Sequence, residues 1–227
     1  MSEQVNEQEE RKAPIYLLVD TSGSMIGEPI TSVKNGIDTC IQAVRTDPQS
    51  LEKAWVSIIT FASKADLAMK LTKVKDIANL PDISAAGGTN YADAIKLLND
   101  SLKNDLRENT ETVKGDYKAF VVLFSDGEPN IGDYKAELTK LNRKKINYFI
   151  AATTSTDEKC KKALADVVQH EENVIYLPTS DTGTFKKFFK WVTQSYHSSV
   201  GKGDDIGNGS IGELPPLPDF NDEGELL

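Results

Sequence analysis

The chain has 227 residues, 39% of them hydrophobic, and a formal net charge of −9, a length that suits one domain with a substantial core. The acidity sits at the ends: Gly201 to Leu227 holds one Lys and seven acids, Met1 to Ala13 holds four Glu against Arg11 and Lys12, and the stretch between is nearly neutral. There is no basic stripe for nucleic acid, no apolar run near the roughly 18 residues of a membrane span, and no apolar signal region at the start, so a cytoplasmic location is expected.

Strand and helix patterns alternate along the chain. Ile15 to Val19 is a continuous apolar run, the pattern of a strand covered on both faces. Pro29 to Val44 places Ile30, Val33, Ile37, Ile41 and Val44 on one helical face, with Pro29 in the first turn. Trp55 to Phe61 reads as a second strand, and Ala65 to Leu71 as an antiparallel edge strand joined to it. Leu80 to Gly88 is irregular. Asn90 then caps a helix to about Leu106. Ala119 to Phe124 is the most strand-like stretch. A helix over Tyr134 to Lys144, a strand over Asn147 to Ala152, a helix over Asp157 to Gln169 and a short strand over Val174 to Leu177 follow. Thr184 to His197 closes the domain as a helix bearing Phe185, Phe188, Phe189 and Val192.

This order predicts an α/β fold, doubly wound, with a mostly parallel sheet, helices on both faces and one antiparallel edge strand. Three regions are expected: a polar N-terminal tail over 1–13, the domain over 14–200, and a disordered, acidic, Pro-containing tail over 201–227. Cys40 and Cys160 fall on predicted helices and read as buried hydrophobes.

In such folds the site lies beyond the carboxyl ends of the strands. Three loops there carry oxygen side chains: Asp20, Ser22 and Ser24; Gly87-Gly88-Thr89-Asn90; and Ser125-Asp126-Gly127-Glu128-Pro129. If the strands ending at Val19 and Phe124 are neighbours, two carboxylates and three hydroxyls can surround one hard divalent cation, with a position left open. Gly23, Gly88 and Gly127 would let the backbone turn tightly around it.

Asp20-x-Ser22-x-Ser24, then Thr89, then Asp126 within Ser-Asp-Gly, resembles the metal-ion-dependent adhesion site (MIDAS) of von Willebrand factor A domains. The likeness covers about Pro14 to Val200. It implies that Ser22, Ser24 and Thr89 hold the metal through hydroxyls, that Asp20 and Asp126 hold it directly or through waters, and that a partner's acidic side chain takes the open position. Mg²⁺ is the expected ion, with Mn²⁺ or Ca²⁺ as alternatives. Asp20-Thr-Ser-Gly-Ser-Met25, Gly27-Glu28-Pro29-Ile30 and Phe124-Ser-Asp-Gly-Glu-Pro129 are similar to TerY-type proteins of bacterial tellurite-resistance and stress operons. That narrower likeness implies a scaffold working with a kinase-like protein and a phosphatase. The broader likeness to von Willebrand factor A domains also implies that movement of the ion between Thr89 and Asp126 could shift the last helix, Thr184 to His197.

Other residues draw plainer readings. Asp93 supports the Asn90 cap, Glu128 is a solvated turn residue, Met25 packs over the site, and His170 and His197 are isolated, which argues against zinc. The aromatics of Phe185 to Trp191 read as core rather than as a membrane-surface helix. The competing function is a metal-assisted phosphohydrolase with Asp20 as nucleophile, in the manner of haloacid-dehalogenase-type phosphatases. Those expect Asp-x-Asp, whereas position 22 is Ser. Tail acids such as Asp219, Asp222, Glu223 or Glu225 could also reach a neighbouring copy's ion. The expected class is a binding module, not an enzyme.

Overall fold

The structure, a computed structural model, describes residues 10–201 and 211–221. Six strands form one sheet: β1 (Ala13–Asp20), β2 (Ala54–Phe61), β3 (Ala65–Lys73), β4 (Ala119–Phe124), β5 (Ile146–Thr153) and β6 (Val174–Tyr176). Their order is β3-β2-β1-β4-β5-β6, and only β3 runs antiparallel, against β2. The helices are α1 (Glu28–Thr46), α2 (Pro48–Lys53), α3 (Tyr91–Asp105), α4 (Tyr134–Lys140), α5 (Glu158–Val168) and α6 (Thr182–Gly201). The mostly parallel, doubly wound sheet with an antiparallel edge is therefore as expected.

β1 sits in the middle of the sheet, and all eight of its residues are buried. Alternation sends its side chains to two layers. Ile15, Leu17 and Val19 join a core with α1 and α6. Tyr16 and Leu18 join a second core with α3 and α5. A strand buried on both faces cannot alternate in polarity, which is why the sequence shows an unbroken apolar run.

On α1 the expected stripe of Ile30, Val33, Ile37, Ile41 and Val44 is buried, together with Cys40. Gly36 lies on that face for a steric reason. A Cβ there would stand 2.2 Å from the Phe189 ring of α6. Phe185, Phe188, Phe189, Trp191 and Val192 are all buried, so the aromatic run of α6 is core. Cys40 and Cys160 are free and buried.

Four details differ from the sequence reading. The helix expected over Tyr134 to Lys144 ends at Lys140, and Arg143–Lys145 forms a separate 3-10 turn. Leu141 turns inward at the break, and Asn142 N donates to Asn99 Oδ1 at 2.9 Å. The six-residue α2 was not anticipated; it is too short to show a period, and Asp47 caps it through Ser50 N at 3.0 Å. The polar N-terminal tail was drawn through 13, yet Ala13 begins β1 and Lys12 N donates to Asp116 Oδ1 at 2.8 Å.

The acidic tail is the fourth correction. Residues 202–210 and 222–227 lie outside the described residues, as do 1–9. The part between packs on the domain instead of being disordered. Ile211–Glu213 forms a 3-10 turn, Leu214 is buried, and Trp191 Nε1 donates to Pro215 O at 2.9 Å. A segment too polar to build its own core has borrowed the aromatic flank of α6.

Candidate metal centre

The site begins with strand register. Val19 lies opposite Phe124 in the parallel pairing of β1 with β4, so the residues that follow, Asp20 and Ser125, emerge side by side. The Ser125 hydroxyl donates to Asp20 Oδ2, and Ser22 N donates to Asp20 Oδ1 at 2.7 Å. Asp20 is fully buried. Burial pushes its carboxyl up to about 6, the bonds from Ser125 and Ser22 pull it down, and the nearby Asp126 charge adds to the rise.

After β1 the chain makes a 3-10 turn over Gly23–Met25, anchored by the buried Met25 side chain. The turn aims two hydroxyls at the next loop. Ser22 Oγ lies 3.0 Å from Ser24 Oγ, and Ser24 Oγ donates to Asp126 Oδ1 at 2.7 Å. Asp20, Ser22, Ser24 and Asp126 are thus joined, directly or through Ser125, by short polar contacts.

Thr89 arrives from the loop between β3 and α3. That loop is stitched over the ends of β1 and β2. Ala86 N donates to Thr21 O at 2.7 Å, Gly23 N to Gly87 O at 3.0 Å, and Asn90 N to Ala62 O at 2.8 Å. Thr89 and Asn130 then bond reciprocally: Thr89 N donates to Asn130 Oδ1 and Asn130 N to Thr89 O, each at 3.0 Å. A Cβ on Gly127 would stand 3.0 Å from Thr89 Oγ1 and 3.7 Å from Asp20 Oδ2. All three loops therefore meet at Gly127. Gly23, Gly88 and Gly127, expected to let the backbone turn tightly, have no positive φ; in the Thr89 loop the left-handed angle falls on Gly87 at φ 89. Gly127 is small for close approach, not for its backbone angle.

The donor set suits a hard divalent cation. It is all oxygen, with two carboxylates and three hydroxyls. Among the described residues no Lys, Arg or His is ion-paired with Asp20 or Asp126. A buried carboxylate held only by neutral donors gains most from a cation placed against it. No group of three or more His, Cys, Asp and Glu side chains gathers anywhere among those residues, so hydroxyls are indispensable to any ion here.

Two contributors escaped the sequence reading. Ser125 was quoted but not singled out, and Tyr91 was not considered. The Tyr91 hydroxyl lies 2.9 Å from Ser125 Oγ and 3.0 Å from Gly127 O, behind both carboxylate loops. Its place at the first position of α3 gave no signal in one dimension. Asn90 caps α3 as expected, through Asp93 N at 3.0 Å. Asp93 turns its carboxylate to Ala65 N at 3.1 Å and takes no part in the site. Glu128 is half exposed and pairs with Lys159 at 3.6 Å.

The family model of the von Willebrand factor type A domain matches residues 15–190. Inter-alpha-trypsin inhibitor heavy chain H2 of Mus musculus is 25% identical over 196 residues, covering 79% of this chain and 20% of its own length. This chain thus spans about a fifth of that curated relative. Proximal thread matrix protein 1 of the mussel byssus, solved with a zinc-occupied MIDAS motif, superposes with a TM-score of 0.59 at 18% identity, over 82% of this chain and 48% of its own. The von Willebrand factor type A protein of Catenulispora acidiphila gives a TM-score of 0.56 at 15% identity, over 83% of this chain and 43% of its own. Both structural likenesses concern the fold alone. With the profile covering most of its length, the chain belongs to the von Willebrand factor type A domain family.

Proposed function

We propose that the protein is a metal-dependent protein-binding module. Asp20, Ser22, Ser24, Thr89 and Asp126 would hold one hard divalent cation, Mg²⁺ with Mn²⁺ or Ca²⁺ as alternatives, all of which suit an all-oxygen set. When bound, the cation supplies an electrophilic position for a partner's carboxylate. The convergence of three loops on Gly127 carries this reading.

The chain's own residues divide the work. Asp20 is the buried anchor, oriented by Ser125 and Ser22 N. Ser22 and Ser24 are neutral donors, which leave the cation less neutralised than a cage of carboxylates would. Tyr91 braces Ser125 and the Gly127 carbonyl from behind. Ser24 is exposed and Asp126 half-buried, so the site faces outward as a surface rather than a closed pocket. An open surface accords with a macromolecular partner more than with turnover of a small substrate.

The finer assignment rests on the TerY-type likeness: a cytoplasmic scaffold in a bacterial tellurite-resistance or stress system, with kinase-like and phosphatase partners. Buried, unpaired Cys40 and Cys160 accord with a reducing compartment. No helix among the described residues is long and apolar enough to cross a membrane.

Affinity capture with Mg²⁺ and with chelator tests the reading. Partners retained in Mg²⁺ are released by chelator and are absent with Asp20→Ala, while circular dichroism of the variant stays native. Equal capture by the variant contradicts it.

A further inference from the structure

β6 forms one edge of the sheet. Its pairing with β5 fixes which way its backbone groups point. Leu177 N donates to Thr153 O at 2.8 Å. In a parallel ladder, alternate residues of a strand bond to the same neighbour. Ile175 and Leu177 therefore turn their groups toward β5, and Val174 and Tyr176 turn theirs outward. Val174 N is taken by Glu171 O of the preceding 3-10 turn. Among the described residues nothing takes the Tyr176 N–H, the Tyr176 carbonyl or the Val174 carbonyl. The edge thus offers one donor with an acceptor on the same residue and a second acceptor beside it. Pro178 has no N–H and ends the ledge.

A helix walls this ledge. Val174 packs on the α5 side of the sheet and Ile175 on the other, so alternation puts Tyr176 on the α5 side. The Lys161 ammonium of α5 lies 5.6 Å from the Tyr176 ring centre. α5 buries Cys160, Leu164 and Val167 against the sheet. Its next face, with Lys161, Lys162 and Ala165, lines a cleft of about 610 Å³ whose other wall is Val174 and Tyr176. Tyr176 is 44% exposed there.

The charges around the cleft are unequally satisfied. Lys161 pairs with Glu158 at 3.0 Å, and Asp166 with Lys135 at 3.1 Å. Exposed Lys162 on the helical wall, and exposed Glu171 below β6, have no ion pair among the described residues. The free main-chain groups call for an extended backbone. Val174 and Ala165 call for an apolar side chain, and Lys162 for a carboxylate. Alternate side chains of a strand share a face, so one extended segment supplies both at a spacing of two residues.

We propose that β6 and α5 form a docking cleft for an extended, acidic segment of a partner protein, which adds to the sheet as a further strand. An edge strand beside a helix is a recurrent setting for such addition. The shortness of β6 limits pairing to a few bonds, which guards against indiscriminate edge-to-edge association. The cleft uses none of the five candidate metal ligands and does not depend on the metal reading.

The probe is the peptide acetyl-Ser-Val-Thr-Glu-Ser-amide, added to the full isotopically labelled chain with chelator present, and the readout is amide hydrogen exchange by NMR. Without peptide the Tyr176 amide exchanges freely while that of Leu177 is protected. Peptide at a concentration on the order of millimolar slows Tyr176 by about tenfold. Lys162→Glu weakens the peptide by about fivefold, and a peptide with Gln in place of Glu loses that difference. Tyr176→Pro removes the outward N–H and leaves the bonds to β5, as an edge strand allows; the variant folds and peptide-induced shifts vanish. Free exchange of Tyr176 at that peptide concentration overturns the proposal. Protection of Tyr176 before peptide is added overturns it as well: if it persists on dilution, the chain covers its own edge, and if it fades, a second copy does. Equal affinity for Lys162→Glu overturns the acidic character assigned to the segment. With chelator present, each of these results leaves the metal reading untouched.

Discussion

The Ser24 hydroxyl donates to Asp126 Oδ1 at 2.7 Å across a separation of 102 residues. This bond joins the loop after β1 to the loop after β4, and its length leaves no room for a spacer between them. The two loops can be so close because β1 and β4 are hydrogen-bonded neighbours in the sheet. The neighbourhood of Gly127 follows from the same adjacency, and it sets the first prediction.

Gly127→Ala places a methyl 3.0 Å from Thr89 Oγ1 and 3.7 Å from Asp20 Oδ2. The backbone there does not need a left-handed angle, so the variant folds. Thr89 is pushed outward and Mg²⁺ affinity falls by about tenfold, the order expected when groups supporting a ligand set are disturbed. Isothermal calorimetry checks this; unchanged Mg²⁺ affinity would place the ion elsewhere.

Tyr91→Phe removes the hydroxyl that meets Ser125 Oγ and Gly127 O. The phenyl ring keeps its edge-on packing with Phe61 and Tyr134. Stability drops by about 1–2 kcal/mol because buried acceptors lose a donor, and Mg²⁺ binding weakens since Ser125 no longer holds Asp20 in place. Urea titrations with and without Mg²⁺ separate the two effects.

Gly36→Ala tests the contact between α1 and α6. The added methyl meets the Phe189 ring at 2.2 Å, and overpacking of this kind costs about 1–3 kcal/mol. Alanine's better helix propensity recovers about 1 kcal/mol of that, so a net loss shows that the steric term dominates. A stability gain in thermal melting would mean that the helices can separate freely.

Asp181 caps α6, accepting from Thr184 N at 3.0 Å and from the Thr179 hydroxyl. The bond from Thr179 is the largest cause of a carboxyl lowered to about 2 from an ordinary 3.8. A depressed carboxyl stabilises the fold above its unfolded value, and the stabilisation is lost as pH falls through the folded value. Asp181→Ala therefore costs about 1 kcal/mol at neutral pH. The gap between variant and parent stays flat down to about pH 4 and closes toward pH 2. Denaturant midpoints measured across that range check the sign; a gap that widens on acidification contradicts it.

The sequence alone determined most of the architecture. Unbroken apolar runs such as Ile15 to Val19 and Ala119 to Phe124 announce strands buried on both faces, and the stripe from Ile30 to Val44 announces a helix lying on one layer. These signals are local, because burial imposes its period on neighbouring residues. The candidate ligands were legible because their loops follow directly on such strands. Short elements were not: α2 has too few residues for a period, and the break after Lys140 depends on Asn99 from another helix.

Only the tertiary structure decided which loops meet. Strand order places β1 beside β4, and the pairing of Val19 with Phe124 sets Asp20 against Ser125; neither is written in any local pattern. Tyr91 braces the site because α3 packs under it, and Leu214 is buried because α6 offers an aromatic flank. A residue's role in each case depends on a partner from a distant part of the chain, supplied by packing and invisible to periodicity.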